Sequence, residues 1–280
     1  MPLYETPEPI TATIEVAMGD IRVVASDRTD TFVDVRPTDP SDNGDVKAAE
    51  RTQVEFTNGT LLVKGPRYRG MLFGKGGSVD VVVELPTASA VRATSDMGDL
   101  RSQGRLGECR FKSSMGSIDL DETSRLEAGS GMGSVTVTRA TGHAEVSTGS
   151  GDLRIVQVDG TAVLKNSNGE THLGEVTGDL RVRSANGDIR VDRAHTAVDA
   201  KTAAGDIRIG EVIRDTIALD TATGEIEVGI REGSAAWLVL NTTVGHVHTS
   251  LTPSDGPGQT DETVEVRAHT YTGDILIRRA

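Results

Sequence analysis

The sequence contains little of the material from which disulfide scaffolds, aromatic cores and membrane spans are built. Aromatic residues make up 3% of the 280 residues, there is one cysteine, and no run of 18 apolar residues occurs. One cysteine excludes an internal disulfide, and the lack of a long apolar run excludes a membrane-spanning helix. Long amphipathic helices are also excluded, because no stretch of about 12 residues has apolar positions spaced by three and four.

The first residues and the single cysteine both indicate the cellular compartment of the protein. Residues 1–6 lack the basic start and the apolar core of a signal peptide. A lone cysteine suits a reducing compartment, so we expect a cytoplasmic protein. Cys109 occupies an apolar position of the repeat described next. We therefore expect a buried thiol that does not react.

Glycine is abundant, with 32 residues, and much of it belongs to one repeated phrase. The phrase is a Gly, then Asp, Glu or Ser, then an alternating apolar pair. It recurs every 17 to 19 residues, at Gly98, Gly116, Gly133, Gly151, Gly169, Gly187, Gly205 and Gly224. A fixed period of this length is typical of stacked coils rather than of a compact globule. Apolar residues at every second position within each coil predict two short strands per coil.

These features predict an all-β protein, a single-domain parallel β-solenoid with about 18 residues per coil. We expect an irregular N-terminal β cap over residues 1–90, solenoid coils over 91–250, and a loop with C-terminal closing strands over 251–280. The last strands, 264–268 and 274–278, should close that end, because an open end would expose strand edges. Seven apolar residues should be buried in the coils: Val146, Ile155, Leu164, Val182, Ile189, Ile207 and Leu219.

Two polar columns follow if the coils stack in register. The first stands three residues before each Gly and consists of Ser113, Ser130, Thr148, Asn166, Ser184, Thr202, Thr221 and Thr242. Small hydroxyl groups there can bond to the turn backbone, so we interpret this column as structural. The second is the Asp, Glu or Ser after each Gly, often followed two residues later by Arg. Its acids and arginines predict weakly paired surface charges. The nine-residue phrase of calcium-binding repeats is absent, and we predict no cofactor.

Two further features lie toward the C-terminus. His246 and His248 share one strand face, a spacing that can supply two metal ligands, but no third ligand is evident. Trp237, the only tryptophan, should point outward by register. We expect it to pack beneath the C-terminal segment, with an exposed partner contact as the alternative.

The loop at residues 64–77 concentrates basic residues around an apolar tip, in a chain with a formal net charge of −13. One interpretation is a flexible hairpin end. The other is a docking finger for an anionic membrane or an acidic protein, since basic residues beside Leu and Phe suit such an interface. The candidate partner-binding residues are Arg67, Tyr68, Arg69, Met71, Leu72, Phe73 and Lys75.

The repeated Gly-Asp-Ile-Arg-Ile phrase, the Asn-Gly-Asp and Thr-Gly-Asp turns and the irregular β lead-in resemble the DUF4097 family, also called "putative adhesin". The similarity is greatest to its actinobacterial members and covers nearly the whole chain. It implies a parallel β-solenoid. The family has no established reaction, cofactor or catalytic residues to carry over.

We therefore predict a non-enzymatic scaffold or binding module. The sequence determines neither its partner nor its oligomeric state. One alternative is an acidic protein that mimics nucleic acid and inhibits a DNA-binding protein, although interspersed Arg residues break the acidic stripe. Another is a β-helix enzyme acting on polysaccharides, which needs an irregular group of carboxylates in one groove. A pI of about 4.9 disfavours direct nucleic-acid binding. Capped ends count against end-to-end stacking.

Overall fold

The computed structural model describes residues 2–66, 76–252 and 262–280. The described chain is nearly all β-strand, in two mainly parallel sheets, so the predicted β-solenoid fold is confirmed. The chain divides into two compact units, 1–141 and 142–280. The predicted boundaries after residues 90 and 250 stay a prediction. No helix within the described ranges is long and apolar enough to cross a bilayer.

Unit 1 contains two sheets whose neighbouring strands are parallel, except where β4 and β5 run antiparallel to their neighbours. The strand orders are β1-β4-β7-β3-β9-β11-β13 and β12-β10-β8-β2-β6-β5. The elements are β1 (Leu3–Glu5), β2 (Thr11–Met18), β3 (Ile21–Ser26), β4 (Asp30–Pro37), α1 (Asn43–Arg51), β5 (Gln53–Thr57), β6 (Thr60–Lys64), β7 (Val79–Pro86), β8 (Ala90–Met97), β9 (Leu100–Gln103), β10 (Cys109–Met115), β11 (Ile118–Thr123), β12 (Leu126–Met132) and β13 (Val135–Ala140).

The N-terminal segment contains a coil of its own, which the sequence analysis missed. Strands β2 and β3 pair in parallel with β8 and β9, and Gly19 turns between them as Gly98 does one coil further on. The repeat therefore begins at Gly19. Residues 27–89 are inserted before its next coil in the chain, and their strands β6 and β7 pair in parallel with the other edges of β2 and β3. That insertion includes α1, where only a polar interruption was expected. The helix forms because the Asp42 carboxylate accepts the Gly44 N–H at 2.6 Å and caps the first turn.

Unit 2 consists of paired parallel strands. The strand orders are β15-β17-β19-β21-β23-β27-β25 and β14-β16-β18-β20-β22-β26-β24. The elements are β14 (Ala144–Ser150), β15 (Leu153–Val158), β16 (Ala162–Asn168), β17 (Thr171–Val176), β18 (Leu180–Asn186), β19 (Ile189–Ala194), β20 (Val198–Ala204), β21 (Ile207–Val212), β22 (Asp215–Thr223), β23 (Ile226–Ile230), β24 (Ala235–Val244), β25 (Val247–Thr249), β26 (Thr263–Thr272) and β27 (Ile275–Arg279).

The last coil in the chain is not the last coil in the stack. Strand β26 lies between β22 and β24, and β27 lies between β23 and β25. The prediction that the C-terminal strands close the end is therefore wrong. Coil β26–β27 is inserted as a buried layer, with Val266 and Ile275 fully buried, and coil β24–β25 stands outermost.

The interior of the coils follows the predicted alternation. All seven apolar residues predicted to be buried are at most 2% exposed. In-register parallel pairing places like residues above one another, as in Val146↔Leu164 and Leu164↔Val182. Each coil thus buries its apolar pairs against those of the coils on either side, which removes their surface from water.

The turn glycines are required by both conformation and space. Gly205 has a φ of +146°, which side-chain-bearing residues rarely adopt. A Cβ atom at this position would stand 2.3 Å from the carbonyl oxygen of Gly187 in the preceding coil. The same close approach recurs from turn to turn, so glycine lets successive coils touch backbone to backbone.

Side chains of the two predicted polar columns hydrogen-bond to the backbone of neighbouring turns. In the first column, the Thr221 hydroxyl is fully buried and donates to the Gly205 carbonyl at 3.0 Å, while Thr202 makes longer contacts of 3.3 and 3.4 Å. In the second column, the Asp188 carboxylate accepts the backbone N–H of Asp206 in the next coil at 2.8 Å. These members of both columns thus bond to the turn backbone, whereas the Ser184 hydroxyl of the first column is buried without a hydrogen-bond partner.

We expect Gly205→Ala to destabilise unit 2 far more than Gly233→Ala. Both positions have positive φ, and this costs an L-residue about 1–2 kcal/mol. Only at Gly205 does the added methyl also clash with backbone, since nothing lies within 4 Å of a Cβ at Gly233. Urea unfolding of the two variants should separate them by several-fold in lost free energy. Equal losses would show that turn-to-turn contact is unimportant.

Candidate binding surface at the open end

The predicted docking loop lies outside the described residues. All seven of its candidate residues, Arg67, Tyr68, Arg69, Met71, Leu72, Phe73 and Lys75, fall within 67–75. Its docking role therefore stays a prediction. The described part of the chain directs attention to another place, the outermost coil of unit 2.

We call residues 235–249, which comprise β24, β25 and the turn between them, the open end. Within the described residues, β24 and β25 each end a strand order, with a partner strand on one side only. The Ala235 N–H donates to Glu262 O at 2.8 Å. Because backbone groups alternate along a parallel ladder, the N–H and C=O groups of Leu238 and Leu240 point toward the unpaired edge.

Apolar side chains are exposed at and beside the open end. In the described part of unit 2, every exposed large apolar side chain except Val156 belongs to β24, β25, β26 or β27. These side chains are Trp237, Val239, Val244, Val247, Tyr271 and Leu276. Trp237 points outward as predicted but is 72% exposed. The expectation that it packs beneath the C-terminal segment is therefore wrong.

The open end is also uncharged. Residues 233–254 contain no Asp, Glu, Lys or Arg, although 25% of the chain is charged. Every other strand of the same sheet in unit 2 carries at least one charged residue. Edge strands are normally protected from pairing by charges, particularly lysine. This charge-free stretch was readable from the sequence, and it is the signal that the sequence analysis missed.

The histidine pair at the open end does not form a metal centre with other ligands. The rings of His246 and His248 stack with centroids 6.0 Å apart, and His246 Nδ1 lies 3.7 Å from Asp274. No group of three or more His, Cys, Asp or Glu residues in the described ranges could hold a metal ion. The two stacked rings add aromatic surface to the open end.

Charged residues on the flat faces of unit 2 are largely bonded to one another. Arg208 contacts Asp206 at 2.7 Å, and Asp192 contacts both His172 (3.0 Å) and Arg190 (3.1 Å). Arg208, His172 and Arg190 line a groove of about 320 Å³ together with Glu170 and Asp188. The Arg183 guanidinium similarly hydrogen-bonds Asp199 and lowers the pKa of that carboxyl. The predicted surface pairing of acids and arginines is thus present.

Unit 1 has a different exposed column. Met18, Met97, Met115 and Met132 stand directly before successive turn glycines and are paired in register. The last three are between 38% and 54% exposed. Flexible thioether side chains form an adaptable apolar ridge. Unlike β24, strands β2, β8 and β10 of this ridge each have a parallel neighbour on both sides.

The only cysteine is excluded from surface chemistry. Cys109 is 1% exposed, and burial raises the pKa of its thiol to about 12. A neutral, buried thiol is neither a nucleophile nor a metal ligand. The prediction of a core cysteine agrees with this position.

Comparison with known proteins adds the family. The model of the family described as "Toastrack DUF4097" matches residues 13–278. The chain belongs to the Toastrack DUF4097 family. No protein with a curated function matches it. That the chain is of the actinobacterial type stays a prediction.

Among solved structures, the Toastrack chain is similar to a "putative adhesin" from Bacteroides fragilis, at 14% identity and a TM-score of 0.31, covering 99% of this chain and 95% of that one. It is also similar to a "putative cell adhesion protein" from Clostridium sporogenes, at 10% identity and a TM-score of 0.26, covering 100% and 98%. A "putative adhesin" from Parabacteroides distasonis matches at 10% identity and a TM-score of 0.29, covering 98% and 95%.

We expect the native protein to resist thiol reagents at pH 8. Because the pKa of Cys109 is raised to about 12, the thiolate is scarce well below that pH, and burial blocks access to it. A chromogenic disulfide reagent should react only after denaturant is added. The variant Val156→Cys, placed at a 52% exposed position, is the control and should react at once. Rapid labelling of the native wild type would contradict the structure.

Proposed function

We propose that this Toastrack protein is a non-enzymatic binding module that receives a β-strand of a protein partner at its open end. The observation that carries the proposal is the coincidence of an unpaired strand edge with exposed apolar side chains and no charge over residues 235–249. Strand addition supplies affinity through main-chain hydrogen bonds and specificity through alternate side chains.

The chemistry of the edge defines the strand that it would accept. Leu238 and Leu240 lie on the core-facing side of β24, where they are partly exposed, while Trp237 and Val239 lie on the outer side. A partner strand with apolar residues at alternate positions would cover the first pair and extend the core. A charged strand would lose hydration there without gaining an ionic partner.

The alternatives receive less support. An acidic nucleic-acid mimic needs a continuous negative stripe, whereas Arg101 pairs with Asp99 and Arg208 with Asp206 on the turn-proximal face. A polysaccharide-active enzyme needs free carboxylates in one groove. Of the two carboxylates in the groove beside His172, Asp188 already accepts the Asp206 backbone N–H, so Glu170 has no second free carboxylate beside it.

The basic loop remains a second proposed contact. Its sequence, with Arg67, Arg69 and Lys75 around Leu72 and Phe73, is unlike the rest of an acidic chain. It suits an anionic membrane or an acidic protein surface. We propose it as an independent docking site, and a cytoplasmic location stays a prediction.

A strand peptide tests the open end directly, because Trp237 is the only tryptophan and lies within it. The probe is the sequence of residues 235–244 with Trp237→Phe, flanked by lysines for solubility. We expect saturable binding that shifts Trp237 emission to shorter wavelength and protects it from acrylamide quenching. The same peptide N-methylated at alternate residues is the control and should not bind, because it lacks the ladder N–H groups. No spectral change with the unmodified probe would contradict strand addition.

A further inference from the structure

We infer that the strand received at the open end is β24 of a second copy of this chain, so that two copies pair edge to edge about a two-fold axis. The inference rests on the proposed function, which leaves the origin of the strand open. Three properties of β24 favour a second copy. It contains no charged residue, its two leucines flank Val239 symmetrically, and its free backbone groups point to the unpaired edge.

Charge is the first argument. Each copy carries a formal net charge of −13, so most surfaces of two copies repel one another. Residues 233–254 carry no formal charge at pH 7 with histidine neutral. The open end is therefore a place where two identical acidic copies can meet without opposing like charges directly, and salt should screen the remaining repulsion.

Backbone direction fixes which residues can be opposite one another. The N–H and C=O groups of Ala236, Leu238, Leu240 and Thr242 point to the free edge, because Ala235 bonds inward to Glu262. An antiparallel pairing about a two-fold axis must match these residues with one another. The register that matches leucine with leucine pairs Leu238 with Leu240 of the partner subunit, and it pairs Ala236 with Thr242 of the partner subunit.

This register places Val239 on the two-fold axis. Val239 then faces Val239 of the partner subunit as a non-hydrogen-bonded pair, where Cα atoms are about 4.5 Å apart. Val239 is 51% exposed in the single chain, so the contact covers apolar surface. Trp237 comes opposite Asn241 of the partner subunit on the same outer face.

The same pairing continues the solenoid core. Leu238, Leu240 and Val247 are on the core-facing side of the outermost coil, where their counterparts one coil inward, Val266, Ala268 and Ile275, are at most 2% exposed. The same three positions in the outermost coil are partly exposed or exposed. A second outermost coil laid across the first would bury them as the inner coils are buried.

Charge complementation at the axis provides the first test. Val239→Lys and Val239→Asp should each weaken self-association by about tenfold or more, since each places two like charges face to face. An equimolar mixture should restore the dimer, because it places Lys opposite Asp. Sedimentation equilibrium of wild type, each variant and the mixture measures this, with unfolding curves confirming that each variant folds. Val156→Lys, at a similarly exposed valine, should leave self-association unchanged.

Cysteine cross-linking tests the register. Val239→Cys should form a disulfide-linked dimer on mild oxidation, because a separation of about 4.5 Å lies within the range that disulfides span. Asn241→Cys, two residues along the same outer face, should not, because the two Asn241 Cα atoms would be about 14 Å apart. The native Cys109 is buried and does not interfere.

The outcomes separate the two proposals. A monomeric wild type at all concentrations, no recovery in the Lys and Asp mixture, or equal cross-linking at positions 239 and 241 would overturn the two-fold pairing. Binding of the strand peptide by such a monomer would still support strand addition from a different protein. Failure of the peptide to bind a chain that sedimentation shows to be monomeric would overturn both proposals.

Discussion

The backbone contact between successive turns is the constraint on which the rest of the structure depends. A Cβ at Gly116, Gly133 or Gly205 would meet the carbonyl group of the preceding turn glycine at 2.0 to 2.3 Å. Glycine at each turn lets the coils stack at strand spacing and keeps them in register. In-register stacking then aligns the apolar pairs, the turn hydroxyls and the turn acids into columns. The fixed register turns a local phrase into a continuous core, since a slip of one residue would expose every apolar side chain.

The same stacking leaves the outermost coil with an unpaired strand edge and uncovered apolar residues. A coil inside the stack has both ladder edges paired and its apolar residues covered, whereas an outermost coil has neither. Unit 1 has antiparallel strands, β1 and β5, at one edge of its strand orders. Unit 2 instead inserts its C-terminal coil as a buried layer and leaves coil β24–β25 outermost. Strand β24 contains no Asp, Glu, Lys or Arg, whereas every other strand of its sheet in unit 2 contains at least one. The lack of charge on this edge supports the pairing proposed for it.

The faces of unit 2 and its open end differ in the hydrogen-bonding groups that are free to contact a partner. Acids and arginines on the flat faces of unit 2 are paired with each other, and turn acids accept backbone N–H groups. Such groups can be recognised only after their present partners are displaced. At the open end, backbone donors and acceptors face outward beside apolar side chains, so a partner strand replaces only water. This difference favours recognition at the end of the stack over recognition on its faces.

The spacing of glycines and the alternation of apolar residues determined the fold class, the strand pairs and the buried residues of the central coils, because each depends only on local periodicity. Periodicity could not reveal the coil at Gly19, which is separated from the next by an inserted segment, nor the helix formed by Asp42 and its neighbours. The order of the coils along the chain predicted the wrong outermost coil. The Gly273 phrase fits the repeat better than the Gly245 phrase, but no local sequence feature indicates which coil lies at the end of the stack. Only tertiary pairing decided that β26 lies between β22 and β24, because insertion buries Val266 and Ile275 and leaves the uncharged strand at the edge.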